Sequence, residues 1–158
     1  MGYRAVVVTV SDGVSAGERE DGSGAALESM LADRGFEVTR DLVPDERDQI
    51  QQAIRQAGST ADLVLTTGGT GFGLRDVTPE ATRDLLEREA PGLVHAMLAR
   101  GLESTPMAAL TRAAAGTIGS TMVINLPGSP KGATENLEAI IDLLPHALQL
   151  LSGDNRHH

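Results

Sequence analysis

Residues 63–79 read LVLTTGGTGFGLRDVTP, and this stretch decides the architecture. Leu63-Val64-Leu65 is a short apolar run with the look of a buried strand. It feeds a loop with glycines at 68, 69, 71 and 73, and Thr78-Pro79 then reads as a helix start. A strand that passes through a tight loop into a helix is the repeating unit of a parallel α/β sheet. Glycines allow positive φ and let backbone N–H groups converge on one point, which makes an anion-binding nest. Thr66, Thr67 and Thr70 add hydroxyl donors. Arg75 can fork onto a phosphate or carboxylate, and Asp76 can hold a divalent cation. The loop is a phosphate site by its chemistry, although the GxxxxGK[ST] and GxGxxG spacings are absent.

Working outward, apolar runs and helical patterns alternate along the rest of the chain. Residues 5–10 (AVVVTV) are nearly continuous and β-branched, as in a strand covered on both faces. A polar loop over 11–23 leads to a helix carrying Ala26, Leu27, Met30 and Leu31, with Gly35 as its stop. Phe36, Val38 and Leu42 suggest a second strand, and Ile50, Ala53, Ile54 and Ala57 a second helix. Helices are expected over about 79–89 and 92–102, with a short one near Pro106. Residues 122–126 (MVINL) read as a further buried strand ending in Pro127-Gly128-Ser129-Pro130. The last helix is expected over 131–151, kinked or broken at Pro145. The pattern predicts one doubly wound, mostly parallel α/β domain, with ligands outside the carboxyl ends of the strands. The loops at 11–23, 68–77 and 127–132 should therefore share one rim.

Composition narrows the function. The 158 residues carry a net charge of −9 and are 2% aromatic, which argues against a nucleic-acid partner that needs basic grooves and stacking platforms. An acidic chain can still hold small phosphorylated ligands through focused local donors. With no cysteine, disulfides and thiolate chemistry are excluded. The start, Met1-Gly2-Tyr3-Arg4, runs straight into a strand, and no apolar run approaches the ~18 residues that span a bilayer. A cytoplasmic protein without a membrane partner is the expectation.

Other residues carry two readings each. Asp45, after Pro44, stands where a helix N-cap would, and it also falls near the expected rim. Ser11-Asp12-Gly13 is either a turn or a rim contact. Lys131 opens a helix whose dipole prefers anions, so an anionic ligand nearby would explain it better than solvent does. Thr111-Arg112 leads into the small residues 113–116, which suggest close helix or loop packing. His95 and His146 fall in helical segments without metal-ligand spacing to another ligand type.

Residues 66–81 (TTGGTGFGLRDVTPEA) and 111–131 (TRAAAGTIGSTMVINLPGSPK), taken in order, closely resemble the MoaB/Mog family of molybdenum-cofactor biosynthesis, relatives of the gephyrin G domain. The resemblance also covers Ser11-Asp12 and Val43-Pro44-Asp45. It implies a single three-layer α/β/α domain over residues 1–152, a tail at 153–158 expected to be disordered, and commonly a homotrimer. The implied activity is molybdopterin adenylyltransferase: AMP passes from Mg-ATP to the terminal phosphate of molybdopterin, with release of pyrophosphate. A molybdenum-insertion protein would act downstream. The family's two functional aspartates match Asp45 and Asp76, which displaces the capping reading of Asp45 and makes both candidates for catalysis and for holding Mg2+. Gly69, Thr70 and Gly71 would bind phosphates, with Thr67, Gly68, Pro127, Gly128 and Ser129 completing the substrate set. Arg75 and Lys131 would stabilise charge on the transferring phosphate. Ser11, Asp12, Thr111 and Arg112 would line the pterin end, where family members often have Ser at the place of Thr111. The same family also allows a carrier or scaffold that binds the pterin without turnover. A more distant alternative, the competence-damage-inducible family, usually carries an additional domain.

Overall fold

The computed structural model describes residues 2–153. Its centre is a six-stranded sheet: β1 (Arg4–Val10), β2 (Glu37–Val43), β3 (Leu63–Thr67), β4 (Arg88–Glu89), β5 (Ala115–Ile118) and β6 (Thr121–Leu126), in the order β2-β1-β3-β6-β5-β4. The first four strands in that order run parallel, while β5 and β4 are antiparallel to their neighbours. Mostly parallel pairing is what the strand–helix alternation demands, since parallel strands need crossover connections.

The pleat sorts the strand residues between two cores. Val7, Leu63, Leu65 and Ile124 point to one face, where they meet α2 (Gly22–Asp33), α5 (Pro91–Ser104), α6 (Pro130–Ile140) and α7 (Leu144–Leu151). Val8, Val64 and Val123 point to the other, against α3 (Arg47–Gly58) and α4 (Thr78–Arg83). Leu27, Leu137 and Leu144 on the first side, and Ile50 and Ile54 on the second, are completely buried. This is the expected three-layer α/β/α domain, with an aliphatic core.

Several local expectations need correction. The segment at 11–23 is not a plain loop: it holds a four-residue helix, α1 (Asp12–Ser15), and the first residues of α2. The helix expected to reach 89 ends at Arg83, and the chain then forms β4. Residues 113–116 were expected in helix or loop packing, yet Ala115 and Gly116 open the antiparallel strand β5. A Cβ at Gly116 would lie 2.1 Å from the Arg88 carbonyl oxygen, so only glycine lets β4 approach. The final helix does break, as expected, but just ahead of Pro145, at a 3-10 turn, Ile141–Leu143, so that Pro145 sits in the first turn of α7. The expected tail lies outside the described residues apart from Gly153.

The winding places the site. The chain leaves β1 for its neighbour β2, then returns past β1 to β3 on the other side. α2, in the connection after β1, packs on one face and α4, after β3, on the other. The connections therefore diverge at the carboxyl ends of β1 and β3, and a crevice opens between them. At the opposite rim, β5 and β6 are joined by a tight turn at Gly119, φ +56°.

Candidate functional site

The crevice is a cleft of about 580 Å³. Its walls come from the three loops expected to share a rim: Ser11 after β1, Gly68, Gly69 and Asp76 after β3, and Gly128 and Ser129 after β6; Asp45, after β2, joins them. Two glycines of the β3 loop have no substitute. Gly68 (φ +105°) would drive a Cβ to 2.2 Å from the Val10 carbonyl oxygen, and Gly69 (φ +70°) to 2.3 Å from Thr78 Oγ1. Thr78 Oγ1 is buried and has no hydrogen-bond partner among the described residues.

Asp45 does not cap α3. Glu46 takes the N-cap position without a side-chain bond, because the Asp45 carboxylate is turned back towards β1. There its Oδ2 accepts from the Asp12 N–H at 3.0 Å, while the Asp45 N–H donates to Asp12 Oδ1 at 3.0 Å. The reciprocal pair locks two loops 33 residues apart. Burial pushes the Asp45 carboxyl above its ordinary range, and the charges of Asp12 and Asp76 press it the same way. Asp76 faces the cleft from the other side, its Oδ2 accepting from the Gly73 N–H at 2.9 Å.

The remaining expected residues divide into three groups. Arg75, expected on a phosphate, holds Asp12 through Nε at 2.7 Å and Nη2 at 3.1 Å, and reaches Glu46 at 3.0 Å. That fork keeps the Asp12 carboxyl below its usual range. Ser11 and Ser129 line the cleft while capping α1 and α6, and Lys131 is exposed in the first turn of α6 and outside the cleft lining. The Thr66 and Thr67 hydroxyls turn inward, Thr66 accepting from Asn125 at 2.8 Å and Thr67 donating to the Pro127 carbonyl at 2.7 Å.

The residues expected at the pterin end are split by the loop itself. Ser11 belongs to the cleft, whereas Thr111 lines a separate apolar cavity of about 200 Å³ with Met97, Met107 and Leu110; Thr70 and Gly71, expected on phosphates, and Pro127 line that cavity rather than the cleft. Arg112 braces the loop between them. Its Nε donates to the Gly71 carbonyl at 2.7 Å, its Nη2 to the Asp76 carbonyl at 2.8 Å, and its Nη1 pairs with Glu80. The guanidinium also lies 5.7 Å from the centre of the Phe72 ring.

Sequence reasoning missed two polar anchors. Asn125 is fully buried: its amide donates to Thr66 and Thr82, and its oxygen accepts from the Ala114 N–H. The signal was present, since one amide in an otherwise apolar strand must find buried partners. Asp21 caps α2 through the Gly24 N–H and accepts from Thr9 and Arg40. An Asp ahead of Gly-Ser-Gly at a helix start was its signal.

Residues 6–146 match the family model described as "Probable molybdopterin binding domain". The chain belongs to this family. Among relatives, a molybdopterin adenylyltransferase of Helicobacter pylori is 39% identical, over 94% of this chain and 87% of that protein. The Drosophila melanogaster molybdenum cofactor synthesis protein cinnamon is 43% identical over 94% of this chain, which spans only 25% of that longer protein. Among solved structures, the molybdopterin biosynthesis enzyme MoaB of Thermus thermophilus is 51% identical with a TM-score of 0.88, covering 96% of this chain and 97% of its own. The family match runs from β1 into α7, so it takes in every element that lines the cleft.

Proposed function

We propose that this chain is the molybdopterin adenylyltransferase of molybdenum-cofactor biosynthesis. A terminal phosphate oxygen of molybdopterin attacks the α-phosphorus of ATP, the bond from that phosphorus to the bridging oxygen breaks, and pyrophosphate leaves with the electron pair. The nucleotidyltransferase class is that of relatives matched over nearly the whole chain. The observation that carries the reading is the pair Asp45 and Asp76, facing one cleft across a glycine loop at the switch point of the sheet.

Nucleotidyl transfer needs positioning and charge neutralisation more than covalent help. The cleft supplies a polar floor, a Gly68-Gly69 backbone that can approach a phosphate closely, and two carboxylates. Each carboxylate spends one oxygen on the scaffold, and among the described residues its other oxygen accepts no hydrogen bond. No group of three or more potential ligands is present among the described residues. That donor set fits Mg2+, which keeps waters and phosphate oxygens and takes only one or two carboxylates from the protein. Asp45 and Asp76 would hold it, and bound there it would neutralise developing phosphate charge. The apolar cavity behind the loop, with the Thr111 hydroxyl, offers a place for the pterin end. A homotrimer, a cytoplasmic location and a downstream molybdenum-insertion protein complete the proposal; no described helix is long and apolar enough to cross a membrane.

The test is Mg-ATP-dependent pyrophosphate release with purified molybdopterin, run beside Asp45→Ala and Asp76→Ala, with product identified as adenylyl-molybdopterin. Tight pterin binding with no release by the unmodified protein would make this chain a carrier on the same fold. Light scattering of the same sample tests the trimer.

A further inference from the structure

Under the proposed activity the cleft must hold two phosphorylated substrates, yet its walls carry the carboxylates of Glu20, Asp21, Asp45 and Asp76. The arginines around it are mostly committed. Arg75 is bound to Asp12 and Glu46, Arg112 to two loop carbonyls and Glu80, and Arg40 to Asp21 and Glu28.

Arg19 is different. It lines the cleft from the link between α1 and α2, and among the described residues it makes no ion pair. Its Nη2 donates at 3.0 Å to the Ser11 hydroxyl, a neutral oxygen that also caps α1. Gly13 gives the guanidinium its seat, since a Cβ there would lie 2.6 Å from Nε and 2.9 Å from Nη2. The group is thus held over the rim by packing and one weak bond, with most of its donors uncommitted.

From this we infer that Arg19 is the phosphate-binding cation of the cleft, forking onto phosphoryl oxygens of a bound substrate. The inference rests on the adenylyltransferase reading for its ligands and on the structure for its geometry. A guanidinium matches the spacing of two phosphate oxygens, and in a cleft of carboxylates its charge offsets the repulsion the substrate meets. Arg75 could take that place only by giving up two carboxylates; Arg19 gives up one hydroxyl.

Arg19→Gln and Arg19→Lys, compared with the unmodified protein, test this. Pyrophosphate release gives KM for ATP and for molybdopterin separately, and calorimetric titration gives the ATP and the molybdopterin dissociation constants without turnover. In Arg19→Gln the KM for at least one substrate should rise about tenfold, the loss of a charge-assisted fork, with kcat within a few-fold. The affected substrate identifies whose phosphate is held. Arg19→Lys should recover part of the loss, and the difference should shrink as salt is raised. Unchanged KM values and unchanged dissociation constants for both substrates in Arg19→Gln would overturn the assignment. If the unmodified protein binds either substrate without turnover, the adenylyltransferase reading fails while the two titrations still decide Arg19. If it binds neither substrate, both fail.

Discussion

The β3 loop separates two unlike spaces. In front, Gly68, Gly69 and Asp76 face the roughly 580 Å³ polar cleft; behind, Thr70 and Gly71 face the roughly 200 Å³ apolar cavity. The polar groups on the two sides are used differently. Away from the cleft they are spent on the scaffold: Arg112 forks onto the Gly71 and Asp76 carbonyls and Glu80, and on the α3/α4 face of the sheet Asn125 satisfies Thr66, Thr82 and Ala114. In front, Asp45 and Asp76 each keep an oxygen that no described residue engages. The back side is built to hold one shape, and the front side to meet a ligand.

The largest effect should come from the front. Asp76→Ala is expected to lower pyrophosphate release by about 10²–10³-fold, the scale of losing one preorganised electrostatic group. Its melting temperature should stay within a few degrees of the unmodified protein. Retention of more than a tenth of the activity would remove Asp76 from the chemistry.

The next should come from the brace. Arg112→Met frees both ends of the loop, and a displaced Asp76 should cost about 10–100-fold in kcat, as small misplacements do. Because Arg112 would act through Asp76, combining the two changes should cost less than the sum of their separate effects. Additive losses would show that Arg112 does something else. Arg112→Lys should not restore kcat, since an ammonium cannot span three acceptors in one plane.

Asn125→Leu addresses shape alone. It strands the buried Ala114 N–H and removes the donor to the Thr66 and Thr82 hydroxyls, and should destabilise by about 1–3 kcal/mol in urea with an unchanged slope. An unaltered midpoint would mean those bonds contribute nothing net.

The smallest effect concerns pH. The Asp45 carboxyl is raised in the fold, chiefly by burial, so ionising it costs stability once the pH climbs above the ordinary carboxylate value of 3.8. Asp45→Asn should therefore melt slightly higher than the unmodified protein at neutral pH, with the gain vanishing in acid, while losing activity. A lower melting temperature at neutral pH would contradict the sign. Asp12 runs the other way: held low by Arg75, it adds stability above the ordinary value, and that stability is lost as the pH falls.

Much of the front side was legible in the sequence. β1, β3 and β6 are continuous apolar runs, and their signal survives because both faces are buried. The glycine loop announced itself by composition, and the shared rim followed from the winding alone. The brace was less legible, because its partners are distant in the chain. Arg112 reads as a substrate contact until Gly71, 41 residues away, is seen to take its Nε–H. Asp45 reads as a helix cap until Asp12 is beside it. β5 was hidden for another reason: of its four residues only Thr117 and Ile118 favour a strand, a run too short to stand out, and pairing with β6 decides their conformation.

The Gly119 turn has a practical use. It joins β5 to β6 at the rim opposite the cleft, so the six residues of β6, about 20 Å of strand, separate it from the chemistry. A Cβ built on Gly119 meets no atom within 4 Å. A fluorophore or surface tether placed at the adjoining exposed Ser120 would leave the mouth of the cleft facing away from its support. The enzyme could then be anchored in a fixed orientation and supplied with substrate from solution.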